Sequence, residues 1–128
     1  MRYLVDTHVL IWHALDDPRL SPEARQLLDD PAHQLAVSQA TLWEIALNLS
    51  AGRLSLNVPF ARLETELLDN GFGVLPYDFE HYKILLNLPA HHQDPFDRFI
   101  IAQSIAEGMV IVTHDVRFQL YPARVFLV

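Results

Sequence analysis

Along the chain, short apolar runs alternate with longer stretches in which apolar and polar residues recur at helical spacing. RYLVD (2–6), QLAVS (34–38), GVLPY (73–77), MVIVT (109–113) and RVFLV (124–128) are each too short for a helix. Several are rich in β-branched residues, which predicts strands. Between them the spacing predicts helices over 7–15, 21–29, 39–51, 59–70, 78–87 and 95–107. Their boundaries carry chemical signals. Ser21 before Pro22 places a cap and a first-turn proline, Asp78 can cap the helix holding Tyr82 and Leu85, and Gly52, Gly71 and Gly108 sit where helices should stop. The strands are almost uniformly apolar, as in a sheet covered on both faces. Strands separated by helices imply right-handed crossovers, so the expected fold is a three-layer α/β/α domain around a mostly parallel sheet of about five strands. Ligands of such sheets collect at the carboxyl ends of the strands.

Carboxylates are delivered to that edge from separate segments. Asp6 ends the first strand and Asp115 follows the fourth. Asp94 and Asp97 open the helix that runs back into the fourth strand, and Glu44 lies about two turns into the helix after the second. Each has an ordinary structural use. Asp94 is a good cap with Pro95 behind it, and Asp97 suits the positive end of a helix. Asp6 and Asp115 fit strand-end turns, and Glu44 shares a helical stripe with Thr41 and Asn48 that a solvated face would explain. Collectively the uses compete poorly. Two carboxylates about 4 Å apart repel by roughly 4 kcal/mol at an effective dielectric near 20, and the only lysine, Lys83, lies in another predicted helix. A bound Mg²⁺ or Mn²⁺ is the usual compensator, because hard cations take oxygen ligands. That donor set suggests a metal-dependent phosphodiester hydrolase, in which the metal activates water and stabilises charge on the attacked phosphate.

The 128 residues suit one domain, 1–128, with no repeat or linker, and 51% of them are hydrophobic. Cysteine is absent, which removes disulfides and thiolate metal sites. A net charge of −7 argues against broad phosphate neutralisation as the mode of RNA binding. It is compatible with acids whose bound cations reverse the local charge. MRYLVDTHVLIWHAL begins like a leader, but Asp6, His8 and His13 break the run and no small-residue cleavage site follows. With no stretch long enough to span a membrane, a cytoplasmic protein is expected.

Three blocks, YLVDTHVLIW, VSQATLWEIALNLSAGRL and HHQDPFDRFIIAQSIAEGMVIVTHDVRF, cover nearly all of the chain. In this order they resemble the PIN-domain ribonucleases, and among them the VapC-type toxins of bacterial toxin–antitoxin pairs. The third block is the most specific, joining a DPFDR helix start to a VTHD strand end. The resemblance implies a PIN-like fold and an acidic cluster that binds Mg²⁺ or Mn²⁺ and cuts RNA to 5′-phosphate and 3′-hydroxyl ends. By motif the four acids are Asp6, Glu44, Asp97 and Asp115, with Asp94 as the cap or a supporting residue. Thr7 and Thr113 are candidates to bond to those carboxylates, and Arg98 and Arg117 to steady phosphate. Arg98 could equally pair with a carboxylate at the helix start. The resemblance also implies a homodimer and a cognate antitoxin, with translation as the process inhibited.

Other readings stay open at this level. A zinc or iron site could use His8, His91, His92 or His114 beside Asp6 and Asp115, although no helical His-x-x-x-His pair is present. An aspartyl-phosphate chemistry at LVDT lacks a second aspartate two residues on, since position 8 is His. A non-catalytic RNA- or protein-binding module on the same fold is the third. Trp12, Trp43, Phe60 and Leu67, all on predicted helices, are expected mainly in the core rather than on a partner groove.

Overall fold

The computed structural model describes residues 1–56 and 58–128. Strand β1 (Arg2–Val5) leads into α1 (Thr7–Ala14) and α2 (Pro22–Asp29), and β2 (Gln34–Ser38) into α3 (Gln39–Ser50) and α4 (Phe60–Asp69). Then come β3 (Phe72–Leu75), α5 (Phe79–Leu86), α6 (Pro95–Glu107), β4 (Val110–Thr113), a 3₁₀ turn (Val116–Leu120) and β5 (Arg124–Leu127). All four strand pairings are parallel, in the order β3-β2-β1-β4-β5.

Side chains alternate across the pleat, so adjacent residues of one strand enter different layers. Tyr3, Val5, Leu35, Val37, Val110 and Val112 join one core, under α1 to α4. Leu4 and Ile111 join the other with Ile100 and Ile101 of α6, Phe118 and Tyr121. Both layers are apolar, which is why these strands read as continuous hydrophobic runs. The edges differ. In β3 only Phe72 is fully buried, and β5 has no fully buried residue, because each edge strand has one neighbour and thinner helix cover.

Several boundaries follow the capping chemistry. The Ser21 hydroxyl accepts from Ala24 N, and Asp78 and His81 form a reciprocal capping box on α5. Gly108 closes α6 at φ 66°, a left-handed cap that costs a glycine little and turns the chain into β4. Two expectations needed correction. The third strand is Phe72–Leu75, so Pro76 and Tyr77 lie beyond it; proline has no N–H for the ladder. Trp12 and Leu67 are core residues, but Trp43 is 58% exposed and Phe60 44%. Trp43 meets Phe96 edge-on along a groove of about 580 Å³ between α3, α5 and α6, and Phe60 lines a second groove beside β3. Helical periodicity places a residue on a face, but which faces are covered depends on how helices pack.

Candidate active site

The strand order decides where chemistry collects. From β1 the chain builds outward through β2 and β3, then returns to place β4 on the other side of β1. The crevice between β1 and β4 is therefore a switch point, the usual ligand position of an open parallel sheet. Val5 is in register with Val112, and Asp6 N donates to Val112 O at 2.9 Å. Asp6 and Thr113 thus stand side by side on the carboxyl edge.

Asp6 is buried, and both its oxygens are held. Oδ1 accepts from Thr7 N at 2.7 Å, and Oδ2 accepts from the Thr113 hydroxyl at 2.8 Å. Burial still raises its pKa above the ordinary carboxylate value, with those hydrogen bonds opposing the shift. The Thr113 hydroxyl also accepts from Asp115 N at 3.1 Å, joining the two strand-end acids. Across the crevice the Thr7 hydroxyl lies 2.8 Å from Glu44 Oε1 and 3.0 Å from Thr41 Oγ1. The stripe of Thr41 and Glu44 therefore faces the site and is buried, so the solvated-face explanation is wrong. Glu44 is likewise pushed up, first by burial and then by the charges of Asp94 and Asp6. Replacing Thr113 by valine removes partners from Asp6 Oδ2 and Asp115 N together. Urea unfolding should show a loss of about 1–3 kcal/mol for the stranded polar groups.

Asp94 does what a cap should: Oδ1 accepts from Phe96 N and Asp97 N at 2.8 and 3.3 Å. Asp97, in the first turn of α6, is different. Among the described residues no side-chain or backbone donor reaches its carboxylate. Burial, and then the charges of Asp6, Asp94, Glu44 and Asp115, push its pKa up to about 8. The amino ends of α1, α3 and α6 open onto this edge, and their dipoles offset part of the repulsion without removing it. Lys83 is remote, paired with Glu80 on α5 at 2.8 Å.

Asp115 is the opposite case. Oδ1 accepts from Arg117 N and Nε at 2.9 and 3.1 Å, and Oδ2 from Arg117 Nη2 and His92 Nε2 at 2.8 and 3.1 Å. The Arg117 guanidinium holds this carboxyl well below the usual range. Among the described residues Arg98 pairs with no helix-start carboxylate; its Nη1 donates to Pro89 O at 2.9 Å. The histidines separate. His8 and His114 meet edge-on at 5.5 Å beside Trp12, and His91 packs against Tyr121. His8 and His114 still lie near enough to Asp6 to favour its charge, and His92 joins the acids by contact: a ligand atom from each of His92, Asp97 and Asp115 falls within 4.8 Å of the others. The sequence offered His92 beside Asp115 as one of four histidines of a zinc or iron site, with no signal that singled it out from His8, His91 and His114.

Residues 3–123 match the PIN domain family model. The chain belongs to the PIN-domain family. Similar proteins include Ribonuclease VapC22 of Mycobacterium tuberculosis, 30% identical over an alignment of 119 residues that covers 91% of this chain and 88% of that protein. VapBC2 from Rickettsia felis, solved bound to a DNA fragment from its promoter, superposes with a TM-score of 0.75 at 16% identity, covering 99% of this PIN domain and 98% of that chain. DNA-bound VapBC from Salmonella typhimurium gives 0.69 at 20% identity, covering 98% and 97%. These likenesses show the shared PIN fold: five parallel strands between helical layers.

Proposed function

We propose that this PIN domain, spanning 1–128, is a divalent-metal-dependent endoribonuclease and the toxin of a VapC-type toxin–antitoxin pair. One observation carries the reading: Asp97 is a half-buried carboxylate facing four other acids, with no donor reaching it among the described residues. Such a group is disfavoured unless a cation shares the crevice. The surrounding donors are carboxylate oxygens and threonine hydroxyls, a set suited to Mg²⁺ or Mn²⁺. Asp6, Glu44 and Asp97 would hold the ion, with Asp115 aiding directly or through water. When bound there, the ion supplies charge for the phosphate and lowers the pKa of a nearby water.

The chain's own residues do the rest. Thr7 and Thr113 keep Glu44 and Asp6 aimed into the crevice, and Asp94 holds the first turn of α6 so that Asp97 stays in place. Arg117 is exposed on the rim and half-buried Arg98 directly follows Asp97, and both would steady RNA phosphate. Arg117 must leave Asp115 to do so. Hydrolysis without recourse to the 2′-hydroxyl yields 5′-phosphate and 3′-hydroxyl ends.

The relative named Ribonuclease VapC22 supports the reaction class, and the VapBC structures support a cognate antitoxin. The exposed apolar surface around Trp43 and Phe60 suits cover by that antitoxin or by a second copy in a homodimer. A cytoplasmic location suits an RNA substrate, and no helix among the described residues is long and apolar enough to cross a membrane. End-labelled structured RNA, incubated with the purified chain and Mg²⁺ or Mn²⁺, tests the reading. Discrete cuts with 5′-phosphate ends, abolished by EDTA, are expected; cutting that survives EDTA would overturn it.

A further inference from the structure

We infer that His92 is a positioning residue of the nuclease site, holding Asp115 in place through its Nε2 proton while Arg117 is free to exchange. The inference rests on the nuclease reading and adds a residue that reading does not use. His92 is buried at 4% exposure, three residues before the first helical residue of α6. Its ring is boxed in: Phe118 meets it edge-on at 5.0 Å and Tyr121 stacks on it at 5.5 Å. Both ring nitrogens are used. Nδ1 lies 3.0 Å from the Tyr121 hydroxyl, and Nε2 lies 3.1 Å from Asp115 Oδ2. An ionised carboxylate can only accept, so Nε2 must carry the proton, and the Tyr121 hydroxyl serves Nδ1 as either donor or acceptor. Tyr121 thereby sets which way the imidazole faces, as a carboxylate or carbonyl does for many site histidines.

The two grips on Asp115 are unequal. Arg117 is 58% exposed in its side chain, whereas the His92 side chain is 1% exposed. An exposed arginine can trade a carboxylate for a phosphate, since its fork fits both. A boxed histidine cannot leave. When Arg117 turns to RNA, His92 is the side-chain donor left on the Asp115 carboxylate among the described residues, and it ties that acid to the segment that opens α6 and carries Asp97. The tie spans the two elements whose acids must stay in register across the crevice.

The test compares His92→Gln, whose amide reaches the Nε2 position, with His92→Asn, whose amide stops at the Nδ1 position, and with His92→Leu. Mn²⁺ affinity of the RNA-free protein is read by electron paramagnetic resonance, and kcat and KM on structured RNA are measured well below each variant's Tm. His92→Asn and His92→Leu should weaken Mn²⁺ binding and lower kcat by on the order of tenfold, the usual loss when a partner of a metal ligand is removed. KM should stay within about twofold, because His92 does not touch RNA. His92→Gln should recover most of both. If the leucine variant does not fold, the Gln and Asn pair decides. Equal loss in Gln and Asn would mean that ring packing, not the Nε2 donor, is what counts, and would overturn the inference. Unchanged Mn²⁺ affinity and kcat in His92→Asn would overturn it as well, leaving the nuclease reading intact. A wild-type chain that binds no Mn²⁺ would overturn the nuclease reading, and this inference with it.

Discussion

Asp97→Asn should abolish most RNA cleavage while leaving the protein folded. A cation at such a site is worth several kcal/mol of transition-state charge stabilisation, and each 1.4 kcal/mol is tenfold in rate, so the expected loss is roughly 10²–10⁴-fold. The side chain keeps its shape and loses its charge, so the remaining acids repel less. Melting the metal-free protein in EDTA near pH 8.5 should therefore give a higher Tm for the variant than for the wild type. A lower Tm would mean that Asp97 has a stabilising partner that the geometry lacks. Activity retained to within about tenfold would remove Asp97 from the site.

The second large effect is on pH. Burial, and then the charges of Asp6, Asp94, Glu44 and Asp115, hold Asp97 at about 8 in the metal-free protein. A cation competes with that proton, so apparent affinity falls as the group becomes protonated. For one group titrating at about 8, the deprotonated fraction is about one-half at pH 8 and about one-hundredth at pH 6. Mg²⁺ or Mn²⁺ affinity measured by calorimetry should thus weaken by about 50-fold between those values, with proton release visible as a buffer-dependent heat. Stability of the metal-free fold moves the other way. The folded pKa lies above the unfolded value of 3.8, so the folded state holds more protons between the two. This contribution is fully present below about pH 4 and is lost as pH rises through about 8. Saturating Mg²⁺ should restore Tm most at the alkaline end. A flat affinity from pH 6 to 8 would show that Asp97 is already ionised, through a cationic partner in the crevice.

Arg117 connects these effects to substrate. It occupies Asp115 through both oxygens, and a phosphate would compete for the same fork. The site thus contains one acid short of positive charge, Asp97, and one well supplied with it, Asp115, on neighbouring elements. Their carboxyl groups are held on opposite sides of the ordinary value: burial and four neighbouring acids raise Asp97, whereas Arg117 first, and His92 after it, lower Asp115.

Local chemistry determined much of this protein. Five apolar runs and the caps between them specified the strands, helices and parallel layering, because periodicity and capping act within a few residues. The strand-end positions of Asp6 and Asp115, and of Asp97 at a helix start, followed from the same reasoning. Tertiary structure decided what local signals do not carry. The return of β4 to the side of β1 turned one sheet edge into a crevice, since strand order is a choice among crossovers that each strand tolerates equally. Contact with Thr7 across two elements made Glu44 a buried acid rather than a solvated one. Helix packing left Trp43 and Phe60 on the surface, although their pattern suited the core. The charge state of Asp97 depends on four acids brought together from distant positions, and the hold on Asp115 depends on His92, 23 residues before it. Electrostatic and hydrogen-bonding energies act over ångströms in space, so they emerged only once the chain was folded.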